Sequence, residues 1–156
     1  MRKVSLTNGG VSLVDDQDFS KVSGYKWFRK RNDYNGEVAV TTGRPREYLH
    51  RLVMEAPKGM NIDHINGNGL DNRRKNLRIC TPAENSRNSK IYSNNTSGFK
   101  GLTWHKGSKR WIVRLTKNYK RIHIGYFTDV LEAAKAYNAA AIKHFGGFAK
   151  LNKIPK

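Results

Sequence analysis

The chain has 156 residues, of which 30 are Lys or Arg and 12 are Asp or Glu, so its net charge at neutral pH is +18. That length suits one ordinary domain or two small ones and excludes a large enzyme with a deeply buried cleft. A charge so far from zero predicts a polyanionic partner, with nucleic acid ahead of a membrane surface. No apolar run approaches the length of a spanning helix, and the N-terminus has no signal-peptide core, so we expect a cytoplasmic protein.

Cysteine content limits the chemistry. Cys80 is the single cysteine, which excludes an intramolecular disulfide and a multi-cysteine zinc finger. We expect Cys80 to behave as a small buried apolar residue. Any metal ligands must therefore be oxygens and imidazoles.

The N-terminal half has the pattern of a small antiparallel sheet. Apolar and polar residues alternate around an Asn-Gly-Gly turn in KVSLTNGGVSLVD, which predicts a β-hairpin. Two further strands are predicted at EVAVTT and EYLHRLVM, and a short helix in DDQDFSKVSGYKWF, where Trp27 and Phe28 are assigned to the core. The Ser- and Asn-rich segment 86–98 is typical of a linker. We therefore predict one domain over residues 1–85 and a second over residues 99–152.

The C-terminal half has the pattern of three strands followed by one helix. The strands are predicted at FKGLTWHKG, KRWIVRLTK and KRIHIGYFT, and the helix at DVLEAAKAYNAAAIKHFGG. In the middle strand the alternation directs Trp111, Val113 and Leu115 towards the helix, and Ile112, Arg114 and Thr116 outward. The predicted fold class is thus α+β, and the polar outer face suits the major groove of DNA. Residues 86–156 carry a net charge of +13, against +5 for residues 1–85.

Short polar side chains concentrate in NIDHINGNGLDNRRKNLRICTPAEN, residues 61–85. Hydrolysis of a phosphodiester needs a base that activates water and a cation that neutralises charge. An imidazole such as that of His64 accepts a proton near neutral pH, and the adjacent Asp63 carboxylate can hold a hard divalent cation. Thr81 and Pro82 predict the start of a helix that carries Asn85, a second possible ligand.

The spacing of these residues resembles the HNH endonuclease motif in its His-Asn-Asn form. Asn76 follows His64 by twelve residues and Asn85 follows Asn76 by nine, and the flanks are similar to HNH homing endonucleases of phages and introns. The resemblance implies a ββα-metal fold, with His64 as general base and with Asp63 and Asn85 as ligands of one Mg²⁺ or Mn²⁺ ion. It implies that Asn76 orients His64 or braces the loop. Asn at the last motif position favours magnesium over zinc or nickel.

Other residues near this motif have less specific interpretations. Arg73 and Arg74 could form a solvated face, but beside a nuclease site we predict that they contact phosphates. For His50, packing, phosphate contact and assistance at the site remain open, and Asn72 could simply shape the loop.

The segment 99–152 resembles the APETALA/ethylene-response-factor DNA-binding domain of plants, through its strand pattern and the segment EAAKAYNAAA. The resemblance implies groove contact by Lys100, Thr103, His105, Arg114, Thr116, Arg121 and His123. Thr103, His105, Thr116 and His123 stand where the plant domains carry mostly Arg or Trp. We therefore expect looser base readout and more reliance on phosphates.

The sequence thus predicts a metal-dependent DNA endonuclease that cuts with its N-terminal domain and is held on double-stranded DNA by its C-terminal domain. We expect a monomer that nicks one strand, without a membrane or a protein partner, in the cytoplasm of a bacterial host cell or associated with its nucleoid. The alternative is a transcription regulator whose N-terminal half is only a scaffold. An RNA-binding or RNA-cleaving protein ranks lower, because no aromatic platform for bases is evident.

Overall fold

The computed structural model describes residues 1–32, 36–88, 91, 95–118 and 120–155. The chain divides into two compact units, Met1–Ser89 and Lys90–Lys156. Each unit has its own hydrophobic core. No helix among the described residues combines the length and apolarity that crossing a membrane requires.

The first unit begins with the predicted hairpin. Strand β1 (Arg2–Ser5) pairs antiparallel with β2 (Val11–Val14), and the turn between them contains Gly9 and Gly10 at φ +92° and +85°. Left-handed backbone of this kind favours glycine, which explains the Asn-Gly-Gly signal.

A short helical segment and a second hairpin follow. A 3₁₀ turn (Asp16–Asp18) leads into α1 (Phe19–Ser23), and β3 (Trp27–Asn32) pairs antiparallel with β4 (Gly36–Thr41). Trp27 is buried in the core and donates from Nε1 to the Val22 carbonyl at 2.8 Å, while Phe28 is half-buried. The core prediction is thus confirmed for Trp27, whereas Phe28 is not part of the core cluster.

The strand predicted at EYLHRLVM is wrong, because residues Leu49–Met54 form helix α2. Leu49 and Val53 are its buried residues, and their separation of four is the helical spacing. The helix ends at Glu55 in the left-handed conformation (φ 49°), whose N–H donates to the Arg51 carbonyl. A run of six residues is too short for its periodicity to separate helix from strand.

The polar segment forms two strands and a helix in succession. Strand β5 (Asn61–His64) pairs antiparallel with β6 (Leu77–Cys80), after a 3₁₀ turn over Arg74–Asn76. Helix α3 (Pro82–Arg87) follows at once. Thr81 and Glu84 form the reciprocal hydrogen bonds of a capping box, with Pro82 at the first helical position.

The linker predicted over residues 86–98 is wrong at both ends. Ser86 and Arg87 belong to α3, because the capping box starts a helix that runs on to the cap residue Asn88. Asn95 and Ser97 bond the Phe99 carbonyl at 2.9 Å each, so they belong to the second unit. Residues 89–90 and 92–94 of the predicted linker lie outside the described residues.

The second unit is a three-stranded antiparallel sheet with a helix on one face. Its elements are β7 (Leu102–His105), β8 (Arg110–Lys117), β9 (Lys120–Phe127) and α4 (Val130–Phe145). Val113 and Leu115 are buried against Ala134, Tyr137 and Ala141 of the helix. Ile112, expected to point outward, is buried as well although it is not part of this core. The strand register pairs Ile112 with Thr103 and Tyr126, so it is a buried residue of the outer face.

Candidate active site

His64 is the last residue of β5 and is fully buried. Its Nε2 lies 3.0 Å from Asn72 Oδ1. Asn72 Nδ2 donates to Ser12 Oγ at 2.7 Å and to the Gly69 carbonyl at 3.4 Å, which fixes the amide orientation. Because Asn72 then presents an acceptor to the ring, Nε2 must carry the hydrogen. The hydrogen-bond network thus assigns the lone pair of the neutral imidazole to Nδ1.

The His64 Nδ1 atom is enclosed and has no hydrogen-bond partner among the described residues. An unsatisfied buried acceptor costs about 1–3 kcal/mol, so its presence calls for an explanation. Burial lowers the pKa of His64 below its ordinary value, although the bond to Asn72 and the charges of Asp63 and Asp71 raise it in part. The ring is therefore neutral at pH 7 and able to accept a proton at Nδ1.

His50, whose role the sequence left open, lies directly against His64. The two rings meet edge to face, with centroids 5.2 Å apart and planes at 87°. The other side of His50 stacks on Tyr48 at 5.4 Å. Burial, followed by His64 and Arg51, lowers the pKa of His50 to about 3. His50 is therefore an uncharged packing partner of His64 at neutral pH.

The side chain of Asn76 bonds to residues other than His64, so Asn76 does not orient His64, which was the first of the two roles considered for it. Its Oδ1 accepts from the Asn66 N–H at 2.9 Å, and its Nδ2 donates to the Asp71 carbonyl at 2.7 Å. These bonds join Asn76, at the end of the loop between β5 and β6, to Asn66 near its start and to Asp71 between them. Asn76 therefore braces this loop. The side chain that contacts His64 is that of Asn72, which sequence reasoning treated as a loop residue.

The loop between β5 and β6 explains the concentration of short polar residues. Asn66 and Asn68 accept from the backbone N–H two residues ahead, at 2.8 and 3.1 Å, in Asx turns. Gly69 lies so close to the β3–β4 hairpin that a Cβ there would be 2.4 Å from the Glu37 carbonyl oxygen and 2.7 Å from Val38 Cγ1. Glycine is thus required for this contact, and the Asx turns supply partners for the loop backbone.

Asp63, the predicted metal ligand, is buried and makes bonds with both carboxylate oxygens. Its Oδ2 accepts from Arg78 Nε at 2.8 Å and Nη2 at 2.6 Å, across the β5–β6 pair. Its Oδ1 accepts from Asn88 Nδ2 at 2.8 Å, and the same amide reaches the His64 carbonyl at 3.0 Å. Sequence reasoning missed both partners: Asn88 lay in the predicted linker, and only the strand register brings Arg78 opposite Asp63.

Asn85, the second predicted ligand, is half-buried on α3. It precedes Asn88 by three residues, so the two amides share the helix face that Asn88 directs at Asp63. One carboxylate and one amide oxygen fit a hard cation that keeps waters and binds phosphate. Burial raises the pKa of Cys80 to about 11, which removes a thiolate from this region. No group of three or more His, Cys, Asp or Glu residues suitable for a metal occurs among the described residues.

Arg73 and Arg74, predicted to contact phosphates, bond to buried carboxylates within the unit. Arg73 holds Asp71 through two bonds of 2.7 and 2.6 Å. Arg74 holds Asp18 through two bonds of 2.7 Å and also donates to the Val53 carbonyl. The guanidinium groups therefore have a structural role that the sequence did not reveal, and phosphate contact by them stays a prediction.

The outer face of the second unit's sheet carries six of the seven residues of this unit that are predicted to contact DNA. Those six are exposed: Thr103, His105, Arg114, Thr116, Arg121 and His123. Arg114 pairs with His123 and Thr116 with Arg121, which places these side chains on one face. Lys100 differs, because it is half-buried and burial together with Lys150 lowers its pKa to about 8. Tyr126, which sequence reasoning missed, is exposed and its ring lies 4.8 Å from that of His123.

Comparison with known proteins places this site in a family. The sequence profile of the HNH endonuclease family matches residues 47–87, which contain α2, β5, the loop, β6 and α3. An uncharacterized HNH endonuclease of Acanthamoeba polyphaga mimivirus is 31% identical over 148 residues, covering 94% of this chain and 76% of that protein. Protein 3.8 of Escherichia phage T7 is 40% identical over 111 residues, covering 68% of this chain and 89% of that protein.

A third relative matches a shorter segment. It is an SPbeta prophage-derived protein of Bacillus subtilis (strain 168) whose name describes an HNH homing endonuclease, 45% identical over 49 residues, or 28% of each chain. The chain belongs to the HNH endonuclease family. Membership supports a nuclease, and nucleases of this family generally act on DNA and depend on a divalent metal.

The lowered pKa of His50 predicts a pH dependence of stability. The pKa of His50 is 6.5 in its ordinary state and about 3 in the fold, so only the unfolded chain takes up this proton as the pH falls below 6.5. Stability is complete above that pH and is lost at up to about 1.4 kcal/mol per pH unit below it. His50→Phe should flatten this part of the curve, measured by urea unfolding between pH 7.5 and 5. If the free energy of unfolding changed with pH in the same way in the wild type and in His50→Phe, the lowered pKa of His50 in the fold would be contradicted.

Proposed function

We propose that this chain is a divalent-metal-dependent DNA endonuclease of the HNH homing type that uses His64 as its general base. The observation that carries the proposal is the enclosed lone pair on His64 Nδ1, with Nε2 held by Asn72 and with Asp63 next in the chain. The order β5, β6, α3 around these residues supports the ββα-metal arrangement.

In the proposed reaction His64 Nδ1 takes a proton from a water molecule. The water oxygen forms a bond to phosphorus as the bond from phosphorus to the 3′ oxygen breaks, and the 3′ oxygen leaves with the electron pair and takes up a proton. Asn72 accepts from the imidazole Nε2–H throughout, so it stabilises the charged ring that forms. His64 then returns its proton to solvent. Because Nδ1 is enclosed, a rearrangement on DNA binding must first admit water to it.

Asp63 and Asn85 are the residues that would hold a Mg²⁺ or Mn²⁺ ion. When bound, the cation supplies charge stabilisation at the scissile phosphate and at the leaving oxygen. Arg78 donates twice to Asp63 Oδ2, and Asn88 donates once to Oδ1, so a second lone pair of Oδ1 is the one that a cation would use. Arg78 thus acts as the counter-ion of Asp63 in the metal-free protein.

The sheet of the second unit is proposed to hold double-stranded DNA on its outer face. Its exposed Arg114, Arg121 and His123 suit phosphates and base edges, and one catalytic centre per chain suits a monomer that nicks. The alternative, a transcription regulator, shares this sheet but predicts no cleavage. A cleavage assay therefore decides between them.

The direct test is nicking of supercoiled plasmid DNA with Mg²⁺ or with EDTA. His64→Ala should lower the rate by roughly 10²–10⁴-fold and leave DNA affinity nearly unchanged, because only proton transfer is lost. Asn72→Ala should lower it by roughly 10–100-fold, because the imidazole remains but its orientation is no longer fixed. His144→Ala, on α4, is the matched histidine control and should retain full activity. Full activity of a folded His64→Ala protein would remove His64 from the mechanism.

The metal assignment has a test that does not depend on cleavage. Arg78→Ala leaves the Asp63 carboxylate buried without its cation, which should lower the free energy of unfolding by about 3 kcal/mol in EDTA. Mg²⁺ should restore more stability to Arg78→Ala than to wild type, measured by urea unfolding. In Arg78→Ala combined with Asp63→Asn the extra response should disappear. An equal response of the single and double variants would exclude Asp63 as a ligand.

Binding by the sheet is tested in the full chain carrying His64→Ala. Arg114→Ala should reduce the slope of log K against log salt by about 0.9 if Arg114 contacts a phosphate. It should instead change the preference at one base pair by about 1–3 kcal/mol if Arg114 reaches a base edge. Lys143→Ala, on the helix α4, is the control for the loss of one charge. Identical effects of both substitutions, in anisotropy titrations at several salt concentrations, would argue against the sheet face.

A further inference from the structure

The basic residues of the first unit fall into two groups. Most arginines bond within the unit: Arg2, Arg29, Arg73, Arg74 and Arg78 pair with carboxylates, and Arg51 donates to three carbonyls. The second group is exposed, and no ion pair joins its members to an acidic residue among the described residues; it includes Lys3, Lys26, Lys58 and Lys75 as well as Lys30, Arg44 and Arg46. Lys30, Arg44 and Arg46 are set apart by their place in the fold. All three belong to β3 or to the turn that follows β4.

These three side chains are presented on a firmly held hairpin. The turn after β4 is closed by the Thr41 N–H, which donates to the Glu47 carbonyl at 2.9 Å, and by the Glu47 N–H, which donates to Thr41 Oγ1 at 2.9 Å. The Arg46 guanidinium lies over the Phe28 ring, 5.5 Å from its centroid. Lys30 follows Phe28 by two residues on β3 and so shares its face. We call Lys30, Arg44 and Arg46 the hairpin patch.

A chain of contacts connects the hairpin patch to His64. Tyr48 follows Arg46 by two residues and stacks on His50, and His50 in turn contacts His64. Gly69, in the loop between β5 and β6, packs on Glu37 and Val38 of β4, and Val38 is the cross-strand partner of Lys30. The hairpin therefore borders the proposed catalytic site and is fixed to its loop.

We propose that the hairpin patch binds phosphates of the DNA strand next to the phosphate that is cleaved. This inference rests on the proposed action on DNA. Arginine matches a phosphate through parallel N–H donors, and a guanidinium held by a ring loses less freedom on binding. Cations placed beside the site, and without a carboxylate partner among the described residues, can align the strand with His64.

The test uses the full chain carrying His64→Ala, so that no DNA is cut, with a fluorescent duplex in EDTA. Arg44→Ala combined with Arg46→Ala should reduce the slope of log K against log salt by about 1.8, and affinity by roughly tenfold per lost contact at 0.1 M salt. Lys3→Ala combined with Lys58→Ala removes the same charge from exposed residues elsewhere in the unit. This control should change the slope by less than a third of that amount. Arg44→Lys combined with Arg46→Lys should restore most of the slope.

Equal losses in the two alanine pairs would overturn the proposal, because they would show a general charge effect. The proposal would also be overturned if the Arg44→Ala and Arg46→Ala pair lost affinity for RNA duplexes and not for DNA. Because binding is measured without metal or cleavage, an inactive wild-type protein would refute the proposed nuclease and leave this test valid.

A second measurement locates the patch on DNA. Cys80 is buried, so R46C and K58C can each be labelled with an iron–EDTA reagent at the introduced thiol. Hydroxyl radicals from R46C should cut a bound duplex, and those from K58C should cut it at least several-fold less. Equal scission from both positions, or none from R46C, would overturn the placement.

Discussion

The 3.0 Å hydrogen bond between His64 Nε2 and Asn72 Oδ1 decides which imidazole nitrogen can take up a proton. Asn72 can serve as acceptor only because Ser12 Oγ and the Gly69 carbonyl accept from its amide nitrogen. Its backbone N–H donates to the Leu13 carbonyl of β2 at 2.8 Å. The tautomer of the proposed base thus depends on the first hairpin of the chain, through Ser12, which is 60 residues from Asn72 in sequence.

The two buried Nδ1 atoms, of His50 and His64, are the unsatisfied side-chain atoms of the described structure. Two such atoms in ring contact would weaken a purely structural core, since each costs about 1–3 kcal/mol. The cost is consistent with a site that must keep an acceptor vacant for a reacting proton. His50 fits this arrangement because an uncharged ring adds no repulsion when His64 becomes charged.

Elements whose signals are local could be predicted from sequence, and contacts made across long separations could not. The Asn-Gly-Gly hairpin, the strands β7 to β9 and α4 carry their turn residues and periodicity within a few residues, so they were predicted correctly. Helix α2 was misassigned because two buried residues do not define a period. Residue type and spacing single out Asp63, His64 and Asn85 as candidates, and their roles stay predictions. Asn72, Arg78 and Asn88 could not, because register and loop closure create their roles.

The structure also separates the charge of the chain into cations that the fold uses and cations that remain for a ligand. Asp18, Asp63 and Asp71 are buried, and a buried carboxylate without a cation is strongly destabilising. Arg74, Arg78 and Arg73 neutralise them in turn. The net charge of +5 on residues 1–85 is therefore a poor guide to the surface that DNA would meet. What matters is where the cations lie that have no carboxylate partner among the described residues, and several of them lie on the hairpin beside His64.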